Sequence, residues 1–268
     1  MSNTEPADRT LDVDGARLHY EVRGQGPVLV FIGNPMGAAG FAPIRALLTE
    51  DHTVVTYDPR GIGRSTRDTD GDSTPEVLAD DVSRVIAAVT SEPVALFGSS
   101  GGAVTGLALV TRHPGLVRTL VAHEPPLIGF LPEDDPAPAG MDEVFAIHLA
   151  DGPAAAMARF FEVAGFRGGP AQFGPPPTLE SLAKDDYFLR HMAGPTVRSA
   201  PDVDALRASP TRIAIGVGEA SEGQLAHRAA TAFASGLGSR TVVFPGDHIG
   251  FLLEPEPFAK ALRAELSR

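Results

Sequence analysis

The chain has 268 residues with 43% hydrophobic content, enough to bury one large core. Its formal net charge of −12 argues against nucleic acid or an anionic membrane as a partner, because either would require clustered Lys and Arg. It contains no cysteine, which excludes disulfides, thiolate nucleophiles and zinc–thiolate sites. We therefore expect a small-molecule substrate, and the sequence leaves the oligomeric state open.

The first residues, MSNTEPADRT, are polar and acidic, unlike a signal peptide or a membrane anchor. No later apolar run approaches the length needed to span a bilayer. We expect a cytoplasmic protein with no membrane partner.

Strand patterns dominate the beginning of the chain. LDVDGARLHYEVRG alternates apolar and polar residues around Asp14-Gly15, which predicts an antiparallel hairpin. PVLVFIG and HTVVTYDP are continuous β-branched and aromatic runs, typical of strands covered on both faces. FAPIRALLTE between them has helical spacing, so the three segments predict a parallel strand–helix–strand unit.

The same unit recurs along the chain. TPEVLADDVSRVIAAVT reads as a helix capped by Thr74, followed by the strand PVALFG, the helix GGAVTGLALVTRH and the strand VRTLVAHE. After residue 211 come RIAIGVG, GQLAHRAATAFASGL, RTVVFPG and a closing helix through EPFAKALRAEL. This alternation predicts an α/β fold with a mostly parallel central sheet and helices on both faces.

Residues 125–208 interrupt the alternation. Proline and glycine cluster there, with helical pieces between them and no strand pattern, and GPPP at 174–177 is expected to be extended. We interpret 125–208 as a helical lid inserted over one edge of the sheet, within a single domain that spans 1–268.

The segment ALFGSSGGAV lies between a predicted strand and a predicted helix. Its residues 98–102 fit G-x-S-x-G, the nucleophile elbow, in which the central serine occupies a sharp turn and the residues two positions to either side must be small. That requirement selects Ser100 over Ser99, because a central Ser99 would place Phe97 where only a small residue fits. The alternative is an ordinary strand-to-helix loop that binds phosphate at the helix N-terminus.

With these pieces the chain resembles the α/β-hydrolase superfamily over almost its whole length. The matching segments are the hairpin, FIGNPMG, YDPRGIGRS, the elbow, the lid-like insertion and FPGDHIGFLLEPEPFAKAL. In YDPRGIGRS we expect Asp58 and Arg60 to hold the loop. No His or carboxylate cluster has metal-ligand spacing and no dinucleotide fingerprint is present, so we expect no metal and no cofactor.

The resemblance implies partners for the serine. His248, in FPGDHIGF after the last strand, lies where the superfamily places its catalytic base. The implied oxyanion donors are the backbone N–H groups of Gly101 and of Asn34 in GNPMG. Many relatives carry His-Gly at that turn, whereas this chain has Ile32-Gly33.

The acid of the triad is not where most relatives carry it, after the seventh strand. Ser221 in GVGEASEGQ stands at that place, and the nearby Glu219 and Glu222 border a predicted surface helix. Glu124 ends the strand after the nucleophile helix, and a carboxylate there costs several kcal/mol, on the order of an unpaired buried ion, unless it is paired. Haloalkane dehalogenases within the superfamily resemble this arrangement in taking their acid from the same strand end. We predict that Glu124 orients His248; the alternative is a Glu124 that caps the strand or forms a salt bridge.

These residues predict a serine hydrolase that cleaves a small, fairly apolar ester, lactone or related acyl compound through an acyl-enzyme. One alternative is a non-hydrolytic enzyme (lyase, acyltransferase or cofactor-free chemistry) that uses the same residues on a natural-product intermediate. Another is a ligand-binding protein with a decayed triad. Ser100→Ala separates a binder from an enzyme.

Overall fold

The computed structural model describes residues 7–68, 70–166 and 178–268. The strands are β1 (Ala7–Val13), β2 (Ala16–Arg23), β3 (Val28–Ile32), β4 (Thr53–Tyr57), β5 (Val94–Ser99), β6 (Val117–His123), β7 (Arg212–Gly218) and β8 (Thr241–Phe244). They form one sheet in the order β1-β2-β4-β3-β5-β6-β7-β8. β2 is antiparallel to both β1 and β4, and every other neighbouring pair is parallel.

Helices connect the parallel strands. They are α1 (Ala42–Leu48), α2 (Pro75–Ala87), α3 (Gly101–Arg112), α4 (Ala137–Asp151), α5 (Pro153–Ala164), α6 (Leu179–Phe188), α7 (Gly194–Val197), α8 (Val203–Ala208), α9 (Leu225–Leu237), α10 (Gly250–Leu253) and α11 (Pro255–Leu266). Short 3-10 turns lie at Ala38–Phe41 and Ile128–Phe130, and a π-helical turn at Leu189–Ala193 joins α6 to α7. The predicted α/β architecture, a mostly parallel sheet with helices, is confirmed.

The sheet is buried on both faces, as its continuous apolar strands predict. In β3, Val30 and Ile32 belong to one hydrophobic cluster with residues of α2, α3 and α9. Leu29 and Phe31 belong to a second cluster with residues of α1 and α11. Successive side chains of a strand point to opposite faces, and the five central strands β3 to β7 accordingly contribute residues to both clusters. A shift of one residue in pairing would exchange the two faces, so this double burial specifies the register of these strands.

The loop that follows β4 is held by the residues expected to hold it. The Asp58 carboxylate accepts hydrogen bonds from the backbone N–H groups of Ala38 (2.8 Å) and Arg64 (3.0 Å). The Arg60 guanidinium donates two bonds, of 2.8 and 2.6 Å, to the buried Asp81 on α2. The loop is therefore fastened both to the turn after β3 and to α2.

In the described residues between β6 and β7, the regular elements are the helices α4 to α8 with short 3-10 and π-helical turns, and there is no strand. Residues 174–177, predicted to be extended, lie outside the described residues. The division into one domain with an insertion at 125–208 stays a prediction. In the described parts of the chain, no helix is long and apolar enough to cross a membrane.

Candidate active site

Ser100 occupies the turn between β5 and α3, with φ 56° and ψ −123°. Ser100 and Glu124 are the non-glycine residues with positive φ in the described chain, and such a backbone costs about 1–3 kcal/mol at each. The Ser100 N–H donates to the carbonyl of His123 at 2.9 Å, which ties the turn to β6. Ser99 is 3% exposed at the end of β5, whereas Ser100 is partly exposed, as the elbow geometry requires.

The two glycines that flank the elbow have no room for a side chain. A Cβ on Gly98 would lie 2.6 Å from the Gly102 carbonyl oxygen, and one on Gly102 would lie 2.1 Å from that of Ile32. β5 and α3 therefore approach as closely as the G-x-S-x-G pattern predicts.

Glu124 and His248 are in direct contact. The Nδ1–H of His248 donates to Glu124 Oε2 at 2.6 Å, and Glu124 is 0% exposed. A carboxylate on Nδ1 leaves Nε2 of the same ring as the proton acceptor. The structure thus brings together two residues that stand 124 positions apart in the chain.

The other oxygen of Glu124 is held by the loop after β7. Glu124 Oε1 accepts a hydrogen bond from the Gly218 N–H at 2.9 Å and another from the Ser221 hydroxyl. Burial by itself raises the pKa of the Glu124 carboxyl, but interactions with His248, His123 and Ser221 lower that pKa to about 2. The carboxylate is therefore ionised and fully hydrogen-bonded.

Ser221 thus supplies a donor where most relatives were expected to carry the acid, a role that the sequence did not indicate. The two alternative acids, Glu219 and Glu222, are both exposed. Their position at the surface leaves the buried Glu124 as the carboxylate bonded to His248.

Asn34 lies against the N-terminus of α3. A Cβ on Gly101 would lie 2.8 Å from the Asn34 carbonyl oxygen and 3.0 Å from its side chain. Gly101 is the first residue of α3, so its N–H has no acceptor within the helix. The Asn34 amide donates to the Thr196 hydroxyl of α7 at 3.1 Å, and its Oδ1 is buried without a hydrogen-bond partner. Thr196 is a contact that sequence reasoning did not find.

Two adjoining cavities open onto these residues. The first cavity and the more open second cavity share Asn34, Ser100, Phe160, Phe166, Phe188 and His248. Met141 lines the first, and Met157 and Phe161 line the second. Phe145 lines neither of them and lies under the Arg198 guanidinium, which is 4.7 Å from its ring centre.

His123 is buried and lines neither of these two cavities. It is 0% exposed, neither ring nitrogen has a hydrogen-bond partner, and its ring packs against Phe258 and Phe244 at 5.3 and 5.7 Å. Burial lowers the pKa of His123 to about 4, so the ring is neutral. Among the described residues, no group of three or more His, Asp or Glu could hold a metal ion.

Comparison with known proteins places this geometry in a family. The sequence profile of the α/β hydrolase fold matches residues 26–164. The protein named uncharacterized hydrolase YraK, from Bacillus subtilis (strain 168), is 32% identical over 267 residues, covering 97% of this chain and 96% of that one. The chain belongs to the α/β hydrolase family.

Solved structures agree with this assignment. This α/β hydrolase is similar to E-2-(acetamidomethylene)succinate hydrolase, with 26% identity, a TM-score of 0.69 and coverage of 98% of this chain and 100% of the other. The enol-lactonase from Burkholderia xenovorans LB400 has a TM-score of 0.72 with coverage of 97% and 100%, and at 19% identity it shows the fold alone. Since its relatives are hydrolases, the chain is an enzyme of this class.

Proposed function

We propose that this α/β hydrolase is a serine hydrolase that cleaves a small, fairly apolar ester, lactone or related acyl compound. The observation that carries the proposal is the His248–Glu124 hydrogen bond of 2.6 Å beside a cavity that also exposes Ser100 in a strained turn. The lactone and amide-type substrates in the names of the similar enol-lactonase and E-2-(acetamidomethylene)succinate hydrolase are compatible with acyl chemistry. A cytoplasmic location and a small-molecule partner remain part of this proposal.

The reaction has two acyl-transfer steps. Ser100 Oγ attacks the substrate carbonyl carbon while its proton passes to Nε2 of His248. Glu124 stabilises the resulting imidazolium, and the N–H groups of Asn34 and Gly101 donate to the developing oxyanion. The imidazolium then gives its proton to the leaving oxygen as the carbon–oxygen bond breaks. Water repeats the sequence on the acyl-enzyme and restores Ser100.

Labelling and turnover together test this proposal. A fluorophosphonate probe should label the wild-type enzyme but not Ser100→Ala, and a panel of esters and lactones of graded acyl length should be hydrolysed by the wild type only. Loss of turnover by several orders of magnitude in Ser100→Ala is expected because the nucleophile is removed.

The rival functions predict different results. Labelling of Ser100 without turnover of any panel member would favour a non-hydrolytic enzyme that uses the same residues. A ligand-binding protein would show neither labelling nor turnover, and Ser100→Ala would keep its ligand affinity.

A further inference from the structure

Asp185 is a carboxylate in the second cavity. It belongs to α6 and is partly buried, in a cavity that also contains Ser100 and His248. The proposed reaction gives it no role. A charged side chain in the wall of a substrate cavity calls for an explanation, because its desolvation costs free energy.

Within the described residues, Asp185 has no hydrogen-bond or ion-pair partner. Burial raises the pKa of its carboxyl, and no cation among the described residues counters that effect. The next residue, Asp186, differs: it accepts hydrogen bonds from Arg190 at 3.0 Å and from His148 at 2.8 Å. Of these two adjacent carboxylates, Asp186 is paired with Arg190 and His148, whereas Asp185 lines the cavity without a partner among the described residues.

Several of the other side chains that line the second cavity are aromatic. Phe160 forms the centre of the group, with ring centres 6.0 Å from Phe161, 6.5 Å from Phe166 and 5.7 Å from Phe188. The faces of phenyl rings carry partial negative charge and attract cations. No Lys or Arg of the described residues lines either cavity. Among the described residues, the second cavity therefore offers one carboxylate and several phenyl rings, and no Lys or Arg side chain.

We propose that the second cavity binds the cationic amine of a substrate, a quaternary ammonium or protonated amino group, with Asp185 as its counter-ion. The inference rests on the proposed function in placing that group on a hydrolysable acyl compound. A cation would restore the electrostatic partner that Asp185 lacks and would contact the phenyl faces. A carboxylate in the same position would meet repulsion from Asp185.

Isosteric ester pairs test the proposal because they differ only in charge. In the first pair the groups lie on the alcohol side of the ester: butyrylcholine carries a trimethylammonium group, and neohexyl butanoate carries a tert-butyl group in its place. The ethyl ester of γ-butyrobetaine and its tert-butyl isostere carry the same groups on the acyl side. Binding is measured by isothermal titration to Ser100→Ala, so that no turnover intervenes. We expect the cationic member of at least one pair to bind about tenfold more tightly.

Substitutions on α6 show whether Asp185 causes the preference for the cationic ester. Asp185→Asn keeps the shape of the side chain, removes its charge, and should reduce the preference about fivefold. Asp186→Asn removes the same charge one residue away. Since the preference is the ratio of the affinities of one protein for the cationic and the neutral ester, Asp186→Asn should leave this ratio unchanged. Both substitutions are made in the Ser100→Ala protein. A preference below twofold in both pairs before substitution on α6, or an equal loss in Asp185→Asn and Asp186→Asn, overturns the proposal.

Hydrolysis of the same esters separates this inference from the proposed function. If Ser100-dependent turnover is absent but the charge preference in binding persists and depends on Asp185, the serine hydrolase proposal fails and the cation site stands. If turnover occurs without any charge preference, the hydrolase stands and the cation site fails.

Discussion

Glu124 combines a strained backbone, complete burial and an ionised carboxylate. Its pKa of about 2 lies below the ordinary value of 4.5, so its interactions stabilise the folded state above pH 4.5 and are lost as the pH falls toward 2. A residue held at such cost is typical of a functional site. Its charge is therefore available to His248 across the whole neutral range.

Replacing Glu124 tests its role directly. We expect Glu124→Gln to lower kcat by about a thousandfold or more, because a neutral amide cannot stabilise the imidazolium. The exposed Glu222 provides the matched control, and Glu222→Gln should leave kcat within about twofold. Steady-state kinetics of both purified variants is the measurement, and a severe loss in Glu222→Gln instead would reassign the acid.

His123 gives a second residue-scale prediction, on stability. The pKa of His123 in the folded protein is about 4, below the ordinary value of 6.5. Between these two pH values the unfolded chain binds a proton at His123 that the folded chain does not bind, so the free energy of unfolding falls as the pH falls. This effect is absent in His123→Leu. Between about pH 7.5 and pH 5 the stability of the variant relative to wild type should increase by about 2 kcal/mol. Thermal melts of both proteins across that range measure it, and a constant difference would contradict it.

Some residues of the candidate site could be predicted from the sequence, and others could not. Ser100, His248 and Glu124 stand in local patterns: a glycine-flanked turn, a loop after the last strand, and a charge at the end of an apolar run. Ser221 and Thr196 have no such pattern, because each acts through a hydrogen bond to a residue 97 or 162 positions away. The sequence could show that an acid was missing at Ser221, but not that its hydroxyl binds the acid.

At the level of elements, the close approach of β5, α3 and β3 makes a sharp prediction. Gly102→Ala would place a methyl carbon 2.1 Å from the backbone oxygen of Ile32, so the elements would have to move apart. We expect a loss of about 3 kcal/mol or more, or failure to fold.

Gly129→Ala is the control for this substitution. A Cβ at Gly129 meets nothing within 4 Å, so this variant should melt within about 2 °C of the wild type. Thermal denaturation of the two variants measures both effects, and similar melting temperatures would show that the elbow is less tightly packed than the structure indicates.

The central strands were predictable because they are continuous apolar runs that pack into two clusters, as the division of β3 between them illustrates. For the segment between β6 and β7, the sequence predicted that helices form but did not predict which residues their side chains contact. Phe145 shares the apolar character of its neighbours and yet packs under Arg198, since composition does not determine which face of a helix meets the site.

For the whole molecule, the net charge of −12 bears on substrate capture. A negative protein attracts cations over a distance set by the ionic strength, about 10 Å at 0.1 M salt. We expect kcat/KM for the cationic ester of a pair to fall about threefold between low and high salt, while that for its neutral isostere stays constant. Initial-rate kinetics with sodium chloride measures this, and parallel salt dependence of the two esters would contradict it.

The sequence could not indicate the proposed cation site, because Asp185 is one of 34 acidic residues and its lack of a partner is a property of the folded chain. The family and the fold were accessible because they depend on the order of elements along the chain. The chemistry of the cavity depends on which side chains that order brings together.

The hydrogen bond from Ser100 to the His123 carbonyl joins the turns at the ends of two neighbouring strands. Nucleophile and acid are therefore spaced by the sheet itself, whose strands are separated by a nearly invariant distance of about 4.8 Å. His248, by contrast, lies on the loop between β8 and α10. In the proposed catalytic unit the sheet therefore fixes the spacing of nucleophile and acid, while the position of the imidazole depends on the conformation of this loop.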